Sequence, residues 1–346
     1  MKIYENFSLK KYNSLRIDAK AKYFAKITKI SQLQQLIKEN FFANNKYIIL
    51  GSGTNILFTK DFDGIVLKNN LTSKFEINNE ANGDTVVITA SSGIKFDDMI
   101  QRFLEFQKEN NLSLFSLENL AKIPGDVGSA VVQNIGAYGV EQKDFFICCQ
   151  VINLKTGNIE YKNLDFCNFA YRNSIFKQKD NPYFILDVIY SNRKKDTLPN
   201  LNYPDLKREF ENANPAEITP LSIYATVSKI RESKLPDIKK YPNAGSFFKN
   251  PMVEKKRFEE VKAKYSDIVF WDRGAKEVKV SAAWLIEHCG LKGKRIGNVG
   301  IHKNHSLILV SYKNATGNEV VAFANFVINE VKAKFGVEIE PEVVYV

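Results

Sequence analysis

Residues 121–141 read AKIPGDVGSAVVQNIGAYGVE, and this stretch decides what kind of fold the chain can have. Turn-forming residues, amides and hydroxyls are set here into apolar sequence: Pro124, Gly125, Gly128, Ser129, Asn134, Gly136 and Gly139. A segment so rich in glycine and so apolar is not typical of a surface loop. We expect its backbone to lie against a large, flat ligand, because glycine permits positive φ angles and close approach.

A second glycine segment lies upstream, where residues 48–58 read IILGSGTNILF. A β-rich run enters Gly51-Ser52-Gly53-Thr54-Asn55, and successive N–H groups in such a turn can bind an anion. The segment is neither a GxGxxG fingerprint followed by a helix nor a Walker loop, and taken alone it is equally compatible with a tight hairpin. If both glycine segments contact one ligand, that ligand is expected to be a dinucleotide. Its diphosphate and its ring system would then be held at separate places.

The composition is that of a globular protein of two or three domains. The chain has 346 residues, of which 44% are hydrophobic and 25% charged, so general disorder is excluded. No apolar run is long enough to cross a bilayer, and the N-terminus has no apolar signal region. The four cysteines show no metal-ligand spacing. We therefore expect a cytoplasmic protein without membrane insertion and without a metal site.

The net charge of +10 raises the question of nucleic-acid binding. Lysines are, however, interspersed with Glu and Asp throughout the sequence, which favours a solvated basic surface. The charge is also compatible with a smaller anionic ligand, such as a nucleotide or a diphosphate.

Helical and strand periodicities are mixed along the chain without strict alternation. Helical periodicity is clearest at residues 96–106, 222–233 and 318–335. β-rich runs lie at 47–50, 85–90, 149–153, 183–190 and 307–310. The pattern predicts an α+β fold with a domain boundary within residues 191–204.

Four segments in order resemble those of one enzyme family, the UDP-N-acetylenolpyruvoylglucosamine reductases of peptidoglycan precursor synthesis. They are Ile123–Glu141, YRNSIFK at 171–177, NAGSFFKNP at 243–251 and GVEIEPEV at 336–343. The resemblance extends from about Tyr12 to the last residue. The segment LNYPDL at 201–206 is similar to the tyrosine loop that marks the longer type within this family.

The resemblance implies an α+β fold with a two-lobed FAD-binding module of the vanillyl-alcohol-oxidase type and an α+β substrate-binding domain. We expect residues 1–70 to form the first lobe, with 318–346 returning to it. The second lobe would be formed by residues 71–200, and the substrate-binding domain by residues 201–317.

The cofactors implied by the resemblance are FAD and NADPH. FAD is expected to be non-covalent, because covalent relatives use a His or Cys near the first glycine segment and none lies at 46–61. The residues expected to contact FAD lie on the two glycine segments: Gly51, Ser52, Gly53, Thr54, Asn55, Ile123, Pro124, Gly125, Gly128, Ser129, Asn134, Gly136 and Tyr138.

Three residues are the predicted catalytic groups. The reaction implied by the family reduces an enolpyruvyl ether to a lactyl ether, so the site needs a cation for the carboxylate and a proton donor. Arg172 carries a guanidinium group that is always charged and can bind a carboxylate through two hydrogen bonds. Ser246 stands beside two phenylalanines, which are expected to form a pocket without water in which its hydroxyl can donate a proton. Glu342 would share a proton with the developing enol. Glu340 and Glu342 would lie on one face of an extended segment, so the pattern alone cannot choose between them. The family match selects Glu342.

Substrate contacts are also carried over by resemblance, to Tyr171, Tyr203, Lys234, Asn250 and His305. Tyr203 is expected to cover the bound substrate, and Lys234 to contact its diphosphate. The C-terminus departs from the family, because many members have an Arg where Val344 stands.

The function predicted from the sequence is NADPH-dependent, FAD-mediated reduction of UDP-N-acetylglucosamine enolpyruvate to UDP-N-acetylmuramate by a cytoplasmic monomer. One alternative is a related FAD-dependent oxidase of another small substrate, which would consume oxygen. The other is a non-enzymatic nucleotide- or RNA-binding protein, which would be colourless.

Overall fold

The computed structural model describes residues 1–79, 85–193, 198–272 and 274–346. Its contacts group into two compact units. Unit 1 comprises Met1–Glu5, Tyr23–Ser52 and Asp63–Ser233; unit 2 comprises Asn6–Lys22, Gly53–Phe62 and Lys234–Val346. Of the boundary expected within 191–204, residues 194–197 lie outside the described residues.

The elements of the first part of the chain alternate short strands with helices. They are β1 (Ile3–Ser8), β2 (Lys20–Ile27), α1 (Ile30–Lys38), α2 (Phe41–Asn44), β3 (Lys46–Leu50), β4 (Ile56–Leu57), β5 (Phe62–Asn69), β6 (Phe75–Asn79), β7 (Thr85–Ser91), α3 (Phe96–Glu109), α4 (Val127–Gln133), β8 (Gly136–Ala137), β9 (Val140–Glu141), β10 (Phe146–Asn153), β11 (Ile159–Asn163), α5 (Leu164–Cys167) and β12 (Tyr183–Arg193).

The second part contains the longest helices of the described chain. Its elements are α6 (Pro204–Glu209), α7 (Pro220–Lys234), β13 (Asn243–Ser246), β14 (Met252–Glu254), α8 (Lys255–Lys264), β15 (Phe270–Asp272), β16 (Glu277–Val280), α9 (Ala282–His288), β17 (Arg295–Ile296), β18 (Val299–His302), β19 (His305–Ser311), α10 (Gly317–Phe335) and β20 (Val344–Tyr345). All three predicted helices and all five predicted strands are confirmed. Among the described helices, none combines the length and the apolar character needed to cross a membrane.

Unit 1 is built around a five-stranded sheet in the order β11-β10-β12-β7-β6, in which neighbouring strands are antiparallel. Helix α3 packs its predicted face on this sheet: Phe96, Met99, Ile100 and Phe103 lie in one core cluster with strand residues such as Val188. A four-stranded sheet, β1-β2-β5-β3, also lies largely in unit 1, and its strands β3 and β5 are parallel.

Unit 2 has a four-stranded sheet in the order β13-β19-β18-β17, and its strands are antiparallel. Helix α10 buries Val320, Ala324, Val327 and Val331 in the core cluster that also contains residues of this sheet. Burial of each of the three valines contributes about 1.5–3 kcal/mol, which explains why an apolar stripe specifies the position of this helix. The helix ends at Gly336, whose φ of +62° is favourable for glycine.

The C-terminal residues of unit 2 lie beside the continuation of the first glycine segment. Strand β20 pairs in parallel with β4, with Val344 opposite Ile56 and Tyr345 opposite Leu57. The amide of Thr59 donates to the carbonyl of Val346 at 2.7 Å. The end of the chain is therefore held next to residues that follow Asn55.

Candidate functional site

The first glycine segment is shaped by a requirement for glycine at position 53. Gly53 has a φ of +68°, and a Cβ added there would lie 2.0 Å from the carbonyl oxygen of Tyr12. Its own carbonyl accepts a hydrogen bond of 2.9 Å from the amide of Ser14. The turn at Gly53 is therefore tightly packed against residues 12–14.

The second glycine segment turns into helix α4, and its glycines serve two purposes. Gly125 has a φ of +143°, a conformation that side chains disfavour. Gly128 packs the helix closely against the end of β7, because a Cβ there would lie 2.8 Å from the Cβ of Ser92. Ser129 completes the helix start, since its Oγ accepts a hydrogen bond of 2.8 Å from the amide of Asp126.

The two glycine segments meet in unit 1, at Ser52 and Asp126. The Ser52 hydroxyl donates to Asp126 Oδ1 at 2.5 Å, and Lys95 Nζ lies 2.7 Å from the same carboxylate oxygen. A Cβ on Gly51 would approach Asp126 Oδ2 to 3.0 Å, so the absence of a side chain there lets the segments touch. Sequence reasoning missed Asp126, Lys95 and Lys68, because nothing local marks residues so far apart as partners.

Asn134 ends helix α4 in the left-handed conformation, with a φ of +45°. Its side chain is fully buried, and its Nδ2 donates to Glu141 Oε2 at 3.0 Å and to the Ala170 carbonyl at 3.1 Å. These contacts join the second glycine segment to the turn that carries Arg172. The predicted contact of Asn134 with the cofactor stays a prediction.

Arg172 lies at the tip of a tight turn. Ala170 and Asn173 exchange backbone hydrogen bonds of 3.0 and 3.1 Å, and Arg172 between them has a φ of +54°. Its guanidinium donates to the carbonyl of Gly136 and lies 5.1 Å from the centre of the Tyr171 ring. Arg172 and the GAYG turn at 136–139 are thus brought together.

Ser174 holds the turn that carries Arg172 through two hydrogen bonds. The residue is buried, and its hydroxyl donates to the carbonyl of Val132 at 2.7 Å while its Oγ accepts from Phe176 N at 3.3 Å. The conformation of Arg172 is strained for a residue other than glycine, and strain of this kind persists where surrounding contacts overdetermine it.

Tyr203 packs against Tyr138 on the second glycine segment, with ring centres 5.0 Å apart. The loop before it is held by Asn200, whose Nδ2 donates to the carbonyl of Gly139 at 3.0 Å. Asn119 Nδ2 donates to the carbonyls of both Tyr138 and Asn200, at 2.9 and 2.8 Å. Burial raises the pKa of both tyrosine hydroxyls, so both stay protonated at neutral pH.

In unit 2, Ser246 and Glu342 are held close by the backbone. Ser246 ends strand β13, and the next residue, Phe247, accepts a hydrogen bond of 2.7 Å from the amide of Glu342. Phe247 and Phe248 are both buried, whereas Ser246 itself is exposed. Asn55 Nδ2 donates to the Glu342 carbonyl at 3.4 Å, which also connects the pair to the first glycine segment.

The structure separates Glu342 from Glu340. The Glu340 side chain is 75% exposed, and its carboxylate lies 3.7 Å from Lys249 Nζ. Glu342 is partly buried, next to the pair of buried phenylalanines. The two glutamates therefore differ in exposure, and the choice of Glu342 as the proton-sharing residue stays a prediction.

The remaining predicted substrate residues have different surroundings. Asn250 Oδ1 accepts a hydrogen bond of 3.0 Å from the amide of Ala282, at the start of helix α9. Lys234 is exposed at the end of α7. His305 is paired with His302 across the turn between β18 and β19, and its Nδ1 accepts from the amide of Leu307 at 3.3 Å.

The paired glycine segments of unit 1 have properties that fit an FAD diphosphate. The glycines at 51 and 125 place main chain close to Asp126 and Ser129, and the Ser52 hydroxyl is adjacent. Lys95 and Lys68 bring positive charge to the same place, and the buried Asp126 offsets part of that charge. Glycine backbone with nearby cations is a common way to bind phosphate groups.

Comparison with known proteins identifies the family. Residues 21–160 match a model described as an FAD binding domain, and residues 237–346 match the C-terminal domain of UDP-N-acetylenolpyruvoylglucosamine reductase. The UDP-N-acetylenolpyruvoylglucosamine reductase of Flavobacterium johnsoniae is 43% identical over 344 residues, which cover 99% of this chain and 99% of that protein. The chain belongs to the UDP-N-acetylenolpyruvoylglucosamine reductase family.

Other members of this reductase family agree. The enzyme of that name from Burkholderia ambifaria is 37% identical over 337 residues, which cover 97% of this chain and 94% of that protein. The crystal structure of the Thermus caldophilus reductase covers 99% of this chain and 98% of that one, with a TM-score of 0.66 at 19% identity. At this identity, the similarity to the Thermus caldophilus structure shows a shared fold. The predicted family, the α+β fold class with its FAD-binding module and the class of FAD-dependent oxidoreductase are confirmed.

Proposed function

We propose that this chain catalyses the NADPH-dependent reduction of UDP-N-acetylglucosamine enolpyruvate to UDP-N-acetylmuramate, with non-covalent FAD. The observation that carries the proposal is the backbone pairing that brings Glu342 next to the Ser246-Phe247 segment, through the 2.7 Å bond from Glu342 N to Phe247 O. The main-chain segments that carry the two proposed proton-handling groups are thereby neighbours, although they are distant in sequence.

Arg172 would bind the carboxylate of the enolpyruvyl group. When bound, FAD accepts hydride from NADPH and supplies it to the terminal carbon of that group. Negative charge then develops on the carboxylate oxygens, and a guanidinium stabilises it without any change of protonation. The bond from Arg172 to the Gly136 carbonyl and the ring of Tyr171 limit the positions of the guanidinium.

Ser246 would deliver the proton to the carbon that bears the ether oxygen. A serine hydroxyl donates a proton poorly in water, so its use requires a dry, cationic site. Gly245, with a φ of +73° and no atom within 4 Å of an added Cβ, leaves room beside Ser246. Ser246 itself is exposed beside the buried rings of Phe247 and Phe248, so bound substrate and cofactor would have to exclude water from its hydroxyl.

Glu342 would share a proton with the developing enol. A carboxylate beside an enediolate is repulsive unless a proton lies between them, so the proposed role requires Glu342 to share a proton with the substrate. The backbone of Glu342 is held at its amide by Phe247 and at its carbonyl by Asn55, so its side chain starts from a defined position.

The substrate is proposed to be held by Tyr171, Tyr203, Lys234 and His305, with Asn250 contributing at the start of α9. Tyr203 is the proposed cover, and its contact with Tyr138 supports that role, because the cover would lie over the GAYG turn. Lys234 is proposed to bind the diphosphate of the UDP-sugar.

The wider assignment also stays a proposal. The flavin would be bound by residues 1–70 and 71–200, with 318–346 returning to the first lobe, and the sugar nucleotide by 201–317. A cytoplasmic monomer without nucleic-acid partners is proposed for the working form. The pairing of β20 with β4 supports the return of the C-terminus.

Three measurements on the purified protein test the proposed function. The protein should be yellow and release intact FAD on denaturation. Without oxygen, it should oxidise more than one equivalent of NADPH per flavin only when the enolpyruvyl sugar is present, and mass spectrometry should find a product heavier than the substrate by two hydrogen atoms. Colourless protein that fails to take up FAD would refute the cofactor, and rapid oxygen consumption without sugar reduction would favour the oxidase alternative.

A further inference from the structure

Asp126 is a fully buried charged residue to which the proposed reaction gives no role. Its Oδ1 accepts hydrogen bonds from Ser52 Oγ at 2.5 Å and from Lys95 Nζ at 2.7 Å. Its Oδ2 has no hydrogen-bond partner and lies 3.8 Å from Lys68 Nζ. A buried carboxylate is costly unless it is paired, so these partners must offset its loss of hydration.

Asp126 and its three partners come from four separate places in unit 1. Ser52 follows strand β3, Lys68 lies in β5, Lys95 precedes helix α3, and Asp126 itself precedes α4. Lys95 Nζ also lies 2.6 Å from Ser52 Oγ, so the hydroxyl, the ammonium and the carboxylate form a closed triangle. One carboxylate thus joins both glycine segments to the sheet and to a helix start.

The two lysines differ in exposure. The Lys68 side chain is 15% exposed, and burial lowers its pKa, whereas the Lys95 side chain is 52% exposed and can face a ligand. Without Asp126, Lys68 would be left partly buried beside other cations. The carboxylate therefore allows two positive charges to be kept near the glycine segments.

We propose that Asp126 is a positioning residue for cofactor binding, which acts through Ser52 and Lys95 to hold the two glycine segments together as a preformed surface for the FAD diphosphate. The proposal rests on the proposed FAD site. Holding a binding surface in its bound conformation reduces the ordering cost of binding, so the loss of the triangle should appear mainly as faster FAD release.

The test is a double-mutant cycle on the holoenzyme, read as the rate of FAD release from the recovery of flavin fluorescence after dilution. Ser52→Ala and Asp126→Ala should each speed release by about tenfold or more, an energy of about 1.4 kcal/mol. Because both changes break the same triangle, the double variant should release FAD no faster than about threefold beyond the faster single variant. Ser52→Thr keeps the hydroxyl and should restore release to nearly the wild-type rate.

A matched control is available in the same unit, where Ser91 Oγ donates to Asp187 Oδ1 at 2.8 Å. Ser91→Ala removes a similar serine–aspartate bond and should leave FAD release within about twofold of wild type. The thermal midpoint of each variant, followed by circular dichroism, separates general destabilisation from loss of the cofactor. If Asp126→Ala does not fold, Asp126→Asn takes its place in the cycle.

The outcomes separate this proposal from the proposed function. Wild-type protein that binds no FAD refutes the proposed function itself. If wild-type protein binds FAD, unchanged release in the Ser52 and Asp126 variants overturns the role of Asp126. Effects that multiply in the double variant would show that Ser52 acts on the cofactor independently, and would also overturn it. If Ser91→Ala sped FAD release as much as Ser52→Ala does, the effect would come from general destabilisation, and this too would overturn the role of Asp126.

Discussion

Replacing Glu342 by glutamine should slow the reoxidation of reduced flavin by the enolpyruvyl sugar, whereas the same change at Glu340 should not. Glutamine keeps the shape of the side chain and the backbone bond from Glu342 N to Phe247 O, so folding and substrate binding should be retained. It cannot share a proton, and the loss of acid–base assistance costs about a hundredfold in rate, or about 2.7 kcal/mol.

Glu340→Gln is the matched control for this prediction. Its carboxylate is 75% exposed and lies 3.7 Å from Lys249 Nζ, and exposed ion pairs contribute about 0–1 kcal/mol. The change should therefore alter the rate by less than about tenfold. The assay is anaerobic stopped-flow absorbance of the flavin, starting from NADPH-reduced enzyme. Reversed effects of the two variants would refute the reasoning and give the acid role to Glu340.

Three further predictions concern the hydroxyl of Ser246, the tight turn at Gly53 and the buried carboxyl of Glu118. Ser246→Ala should leave flavin reduction by NADPH nearly unchanged and slow reoxidation by the sugar about a hundredfold or more, since only the second half-reaction needs its proton; equal slowing of both, by stopped flow, would make Ser246 structural. Gly53→Ala, whose Cβ would lie 2.0 Å from a main-chain oxygen, should lower the thermal midpoint far more than Gly157→Ala, whose Cβ meets its nearest atom at 3.6 Å. Burial raises the pKa of Glu118 to about 7, so the folded state holds a proton that the unfolded state has lost between about pH 4.5 and 7. Wild-type stability should fall by up to about 1.4 kcal/mol per pH unit in that window, and chemical denaturation should show Glu118→Gln removing this fall while Glu105→Gln, at an exposed position, does not.

Much of the fold could be predicted from periodicity because its elements bury one face. The apolar stripe of α10 and the face of α3 that carries Phe96 and Phe103 correspond to buried residues. The glycine segments were recognisable because positive φ and close packing leave few alternatives to glycine at positions such as Gly53 and Gly125.

The contacts between distant polar residues could not be predicted in the same way. Hydrogen bonds such as those from Ser52 to Asp126, or from Asn119 to the carbonyl of Asn200, join residues that share no local pattern. The hydrogen bonds of Asn134 to Glu141 and to the Ala170 carbonyl could not be predicted either. A family match transfers residue identities, whereas a polar network depends on which side chains the tertiary fold brings together.

The most direct test of the central claim is a competition between electron acceptors. Enzyme reduced anaerobically with one equivalent of NADPH is mixed either with the enolpyruvyl sugar or with oxygenated buffer, and the return of oxidised-flavin absorbance is followed. A UDP-N-acetylenolpyruvoylglucosamine reductase should be reoxidised much faster by the sugar, with formation of UDP-N-acetylmuramate in an amount equal to the NADPH supplied. Fast reoxidation by oxygen together with no reaction with the sugar would contradict the account.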